Sequence, residues 1–106
     1  MILSTIDEIP GYEISEVIGI VTGNVVTSKH IGRDIAAALK TLVGGEIKGY
    51  TEMLTEARNE AIERMVREAE RLGADAIVGV RFASSYVMTG AAEILVYGTA
   101  VKLKKT

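Results

Sequence analysis

Cysteine is absent from the 106 residues. That absence excludes disulfides, thiolate metal ligands and cysteine nucleophiles. Aromatic residues make up only 5%, so a core must be built from Ile, Val, Leu, Ala and Met. Tyr50, Tyr86 and Tyr97 are too scattered for a stacking platform, and basic residues do not interleave with them. A large charge of either sign is missing too. Twelve basic side chains stand against 14 acidic ones, a formal balance of −2. No field therefore exists to steer nucleic acid or an anionic membrane, and neither is expected as a partner. No apolar run approaches the ~18–20 residues that span a bilayer. Met1 to Pro10 lacks both a basic start and an apolar run, so it does not read as a signal peptide, and a cytoplasmic location is expected.

What is present is enough for one domain over residues 1–106. Hydrophobic residues reach 48%, too many for a disordered segment. Tyr12 to Thr27 is rich in Val and Ile and reads as a long strand, punctuated by Gly19 and Gly23. Glycine inside a strand points to a bulge or a close backbone approach. Ile2 to Ile6 reads as an additional edge strand, and Pro10-Gly11 as a turn. From Ser28, a plausible N-cap, Ile31, Ile35, Ala38, Leu39 and Leu42 fall at helical spacing until Gly44-Gly45. A second helix is expected from Thr51 to Leu72, with Thr51 as N-cap and Gly73 as stop. Its stripe is Leu54, Ala57, Ala61, Met65, Ala69 and Leu72, and Glu60–Arg64 and Glu63–Arg67 form i,i+4 pairs. Strands at Asp75–Val87 and Ala91–Leu103 follow, joined by a Thr89-Gly90 turn. The order β-α-α-β-β predicts an α+β two-layer sandwich.

The strands carry a further consequence. Along Ile94 to Leu103 one face holds Leu95, Tyr97, Thr99, Val101 and Leu103, and the other holds Ile94, Val96, Gly98 and Ala100. Neither is polar, whereas a sheet wet on one side alternates cleanly. The helices can cover one face, expected to be that of Gly98 and Ala100. The second face needs another cover, and a copy of the same chain is the simplest one. The alternative is that the N-terminus or an edge segment folds over it.

Few residues suggest chemistry. Gly44 to Gly49 follows a helix and lacks the Lys-Ser/Thr end of a P-loop, so a helix stop and connector is the plainer reading. His30, the single histidine, lies four residues before Asp34. That spacing lets the two share a divalent metal on one helical face, although stable sites need three or four ligands. Arg81 and Glu93 each interrupt an apolar strand. They read as a structural ion pair, or as a site for an anion or polar ligand at a subunit boundary.

Taken together, several segments resemble the YbjQ-like family of small bacterial and archaeal proteins, which is labelled heavy-metal-binding. They are Ile31-Gly32-Arg33-Asp34-Ile35, Val43 to Lys48 with Tyr50-Thr51-Glu52, Glu56-Ala57-Arg58, Leu72 to Phe82, and Ala92 to Val101. The resemblance covers nearly the full chain. It implies a dodecin-subunit-like fold and a ring-shaped homopentamer in which short extra strands help assembly. His30 stands where relatives often have another polar residue, and Ala83-Ser84 where an acidic residue is often seen.

The reading that follows is a homo-oligomeric binding or assembly protein that partners itself and takes a metal ion or small ligand at subunit interfaces. The candidate ligand-binding residues are Arg33, Glu46, Arg58, Arg81 and Glu93, and the candidate metal residues are His30 and Asp34. A divalent metal is the one cofactor the residues suggest. No nucleophile motif or cofactor fingerprint is present. An enzyme acting on a small anionic substrate is thus the second reading, with Arg81 positioning the substrate and Glu93 or Asp34 as acid/base. A purely structural ring is the third.

Overall fold

The structure is a computed structural model that describes residues 1–28, 48–88 and 91–106. Their order is β1 (Ile2–Leu3), β2 (Tyr12–Ser28), α1 (Lys48–Arg71), β3 (Ala76–Met88) and β4 (Ala91–Lys105). The four strands form one mixed sheet in the order β1-β3-β4-β2. β1 runs parallel to β3, while β4 is antiparallel to both β3 and β2. The expected α+β class holds, with one helix among the described residues. The first expected helix and the Thr89-Gly90 turn lie outside them. Ser28, expected as an N-cap, is the last residue of β2, paired with Ala91, and the helix it would cap lies outside the described residues. Thr51, expected as an N-cap, sits inside α1, which begins at Lys48. The helix stops at Gly73, whose φ of 79° suits the left-handed region.

The glycines flagged in β2 divide the two expected roles between them. Gly19 has φ 149° and sits at a register shift opposite β4, a bulge. Gly23 is where the helix touches the sheet: a Cβ there would lie 1.8 Å from the Ala61 carbonyl oxygen. Around that contact Val21 and Val25 of β2 pack with Ala57, Ala61, Met65 and Ala69 of α1 and with Ile77, Ile94, Val96 and Ala100. Met65, Ile77, Val21 and Val96 are almost fully buried, and each is worth roughly 1.5–3 kcal/mol over an exposed position. The face of Gly98 and Ala100 is the helix-covered face, as expected.

Opposite lies the second face, and its cover is partial. The N-terminal segment crosses one end, where Ile9 buries against Ala76, Val78 and Val101 beside Leu103. Ser4 and Ile6 hydrogen-bond to β3 along the way, through Ser4 N–H to the Ile77 carbonyl (2.9 Å) and Gly79 N–H to the Ile6 carbonyl (3.1 Å). Beyond Ile9 the face is bare among the described residues. Val17, Ile20 and Val26 are 65%, 77% and 61% exposed, and their partners in the ladder, Val101, Thr99 and Glu93, share that face. The sheet is also longer than its helix. At about 3.3 Å per residue the 17 residues of β2 reach about 55 Å, whereas the 24 residues of α1 reach about 36 Å. The molecule measures 56 × 25 × 16 Å, a two-layer slab.

Candidate functional site

Two places gather polar side chains on this scaffold. The first is a cleft of about 190 Å³ between the N-terminal half of α1 and the hairpin end of β3 and β4. Its floor is Leu54, Ala92 and Ile94, and Arg58, Ser84 and Tyr86 stand at its rim. The ladder explains the grouping: Ser84 pairs with Ile94 and Tyr86 with Ala92, so these residues share the helix-side face. Arg58 is the one charged side chain lining the cleft among the described residues, and its Nη2 donates to the Thr55 hydroxyl at 3.3 Å. The other helical arginines are engaged with carboxylates: Arg64 with Glu60 (2.8 Å), Arg67 with Glu63, and Arg71 with Glu68 (2.7 Å). Arg58 has no carboxylate partner among the described residues. The sequence explains why, because its i±3 and i±4 neighbours are Leu54, Thr55, Ala61 and Ile62.

The second place is Glu93, half-buried in β4 on the far face of the sheet. Asn24 Nδ2 donates to one carboxylate oxygen at 2.7 Å, and the Ser85 hydroxyl donates to the other at 3.2 Å. One donor comes from each flanking strand. Both are neutral, so the charge of Glu93 is solvated by dipoles, with no cation beside it among the described residues.

Arg81 and Glu93 are therefore not partners within the chain. In the ladder Arg81 faces Tyr97 and Glu93 faces Ser85. Arg81 turns to the N-terminal segment, donating through Nη1 to the Thr5 carbonyl at 2.7 Å and to its neighbour Val80 at 2.9 Å. A bulge between Val78 and Arg81, with Gly79 at φ 62°, brings this about by breaking the ladder. Among the expected site residues, then, Arg58 lines the cleft, Glu93 accepts from Asn24 and Ser85, and Arg81 staples the N-terminal segment. Arg33, Glu46, His30 and Asp34 lie outside the described residues. No three His, Asp or Glu side chains converge as a metal site among the described residues. No helix among them is long and apolar enough to cross a membrane. Sequence reasoning missed the cleft itself. Its signal was available: an arginine on an otherwise paired helix with no acidic residue at either helical spacing.

Comparison with known proteins agrees with the segments that pointed to a family. The chain matches the YbjQ family described as "Putative heavy-metal-binding" over residues 1–104. A "UPF0145 protein" of Thermosipho melanesiensis is 76% identical over 103 residues, covering 97% of this chain and 95% of that one. One of Thermotoga maritima is 70% identical over 105 residues, covering 99% of each. One of Colwellia psychrerythraea is 66% identical over 105 residues, covering 99% of this chain and 100% of that one. Among solved structures, a protein of unknown function of the DUF74 family from Pediococcus pentosaceus superposes with a TM-score of 0.63 at 18% identity, over 98% of each chain. That likeness carries the fold. Match and relatives alike span essentially the whole length, and the chain belongs to the YbjQ-like family, whose description reads "Putative heavy-metal-binding".

Proposed function

We propose that the chain works as a homo-oligomeric binding and assembly protein, in which copies cover one another's second sheet face. The observation that carries this is the bare stretch of Val17, Ile20 and Val26 beside a helix-covered face that is already closed. Two global quantities support it. The accessible surface is 6937 Å², against about 5,700 Å² for a compact monomer of 11.3 kDa. The radius of gyration is 17.4 Å, against about 13 Å for a compact domain of this length. An excess of roughly 1,200 Å² is of the order that one stable interface removes.

Unpaired strand edges favour the same reading. β2 ends the sheet on one side, and β1 covers β3 only at Ala76 and Ile77 on the other. Exposed edges of this length ordinarily invite pairing. Two unlike edges, one on each side of the slab, fit a head-to-tail contact, which forms a ring where its rotation closes and an open filament where it does not. The count of five and the dodecin-subunit-like build are what the family resemblance suggests for that ring.

Ligand binding would fall at the boundaries, where Arg81 and Glu93 stand on the face to be covered, with Arg33 and Glu46 as further candidates. A metal would use His30 and Asp34. The described residues do not fit a soft heavy metal, because Glu93 with Asn24 and Ser85 offers oxygen donors alone, a set suited to hard cations.

Native mass spectrometry at micromolar concentration tests the assembly. We expect a species near 57 kDa, about five times 11.3 kDa, which collapses to monomer on Ile20→Glu. A monomeric parent protein overturns the proposal. Calorimetric titration tests the metal, and no heat with zinc, copper, nickel or cadmium removes that part.

A further inference from the structure

We infer that the cleft at Arg58 is a binding site for a small monocarboxylate with a short aliphatic body. The cleft lies within one protomer, so this inference goes beyond the assembly reading and stands without it. Three features on the structure converge. The guanidinium has five N–H donors, and among the described residues one of them is used, on the Thr55 hydroxyl. Among the described residues no carboxylate pairs with it: Glu60, Glu63 and Glu68 are taken by other arginines, and the Glu93 carboxylate is held by Asn24 and Ser85. Below the cation the floor is aliphatic, with Ala92 and Ile94 buried and Leu54 half-buried.

An anion with no apolar body would leave that floor wet, and an apolar molecule with no charge would leave the guanidinium unused. A carboxylate with a short chain uses both, since a guanidinium fork matches a carboxylate in two parallel hydrogen bonds. Size limits the ligand further. About 190 Å³ corresponds to roughly six water volumes, below the usual range for a drug-sized pocket. The exposed Ser84 beside the cleft adds a hydroxyl donor for the second oxygen.

Hexanoate is the probe, with hexanol and acetate as the comparators that carry one half of its chemistry each. Binding is followed by amide chemical shifts of the intact protein, and native mass spectra report assembly in parallel. We expect saturable shifts at Leu54, Ala92 and Ile94 with hexanoate. Affinity should be about tenfold weaker or worse for hexanol and acetate, and should fall by about tenfold or more in Arg58→Gln. Ser84→Ile, at an exposed strand position, should narrow the cleft and weaken hexanoate while Arg58 is kept, so a fold defect in one variant does not decide the matter. Equal binding of hexanol, unchanged affinity in both variants, or no hexanoate shifts at the cleft up to about 20 mM overturns the inference. A monomeric protein that still binds hexanoate would reject the assembly and leave the cleft standing.

Discussion

Substituting Gly23 with alanine strikes the point where helix and sheet meet. The added Cβ would lie 1.8 Å from the Ala61 carbonyl oxygen, 2.8 Å from its carbon and 2.9 Å from the Met65 nitrogen. The first distance is roughly 1.5 Å short of an ordinary contact. All three atoms are backbone, so no rotamer change relieves them. Either β2 bends or α1 lifts. A lift of that size opens the layer between Val21 and Val25 on one side and Ala57, Ala61 and Met65 on the other. A gap of 0.5–1 Å already forfeits about a quarter to a half of the dispersion well. Overpacking of a core costs about 1–3 kcal/mol where side chains can yield, so about 3 kcal/mol or more is expected here. With a urea slope of about 2 kcal/mol/M, the unfolding midpoint should fall by about 1.5 M. Gly98→Ala is the comparison. Its Cβ meets the Ile77 Cγ2 methyl at 2.6 Å, the Val78 carbonyl oxygen at 3.1 Å and the Val80 Cγ2 methyl at 3.2 Å. The closest of these belongs to a side chain, so a smaller loss of about 1–2 kcal/mol is expected. Urea melts of both variants decide. A Gly23→Ala midpoint within about 0.3 M of the parent, or a larger loss for Gly98→Ala, refutes the account of how α1 seats on the sheet.

Two further outcomes follow from the polar contacts. Arg81→Met removes the donor to the Thr5 carbonyl, so amide exchange of Gly79, which donates to Ile6, should quicken about tenfold, and unchanged exchange argues against a staple. Arg71 holds the Glu68 carboxyl below the ordinary value of 4.5 by hydrogen bonding to it, while Glu68 raises Arg71. The folded form is the one with the depressed value. The pair's contribution is therefore complete above the ordinary glutamate value and is lost as pH falls through the lowered one. In Arg71→Gln the Glu68 inflection, followed by carboxyl carbon shifts, should move upward; an unmoved inflection contradicts the assignment.

The elements that were readable from sequence are those whose signal is local. Val and Ile density marked β2, the 3.6-residue stripe from Leu54 to Leu72 marked α1, and Gly73 marked its end. Gly19 and Gly23 could be flagged as a bulge or a close approach, but which was which depends on where the helix lies, a tertiary fact. Ser28 closes β2 through its pairing with Ala91, and the helix it was expected to cap lies outside the described residues. The Arg81–Glu93 pair was argued from both residues interrupting apolar strands. Strand patterning gives the face of a residue and not its place along the ladder, and a bulge at Gly79 adds to the uncertainty by changing parity. Arg58 could be named as a candidate from its charge, while its cleft required the register that sets Ser84 against Ile94 and Tyr86 against Ala92.

Glu93 sharpens what the second face requires of any cover. Its neighbours Val26 and Leu95 are apolar, and its two hydrogen-bond donors, from Asn24 and Ser85, are neutral and exposed in the single chain. Water can complete its solvation there at little cost. Once a second surface excludes that water, a carboxylate held by two neutral donors is expensive unless a cation or a further donor arrives with the cover. Arg81 cannot be that cation from the same chain, because it stands apart in the ladder and is committed to the Thr5 carbonyl. A purely apolar partner surface would therefore cover Val17, Ile20 and Val26 well and Glu93 badly. The surface that suits all four is mixed, with an aliphatic patch set against β2 and a basic group or metal ion reaching β4. Under the proposed assembly, cover and ligand would meet at Glu93, because the charge that makes this face unsuited to simple hydrophobic burial is also the one that would select a basic group or cation.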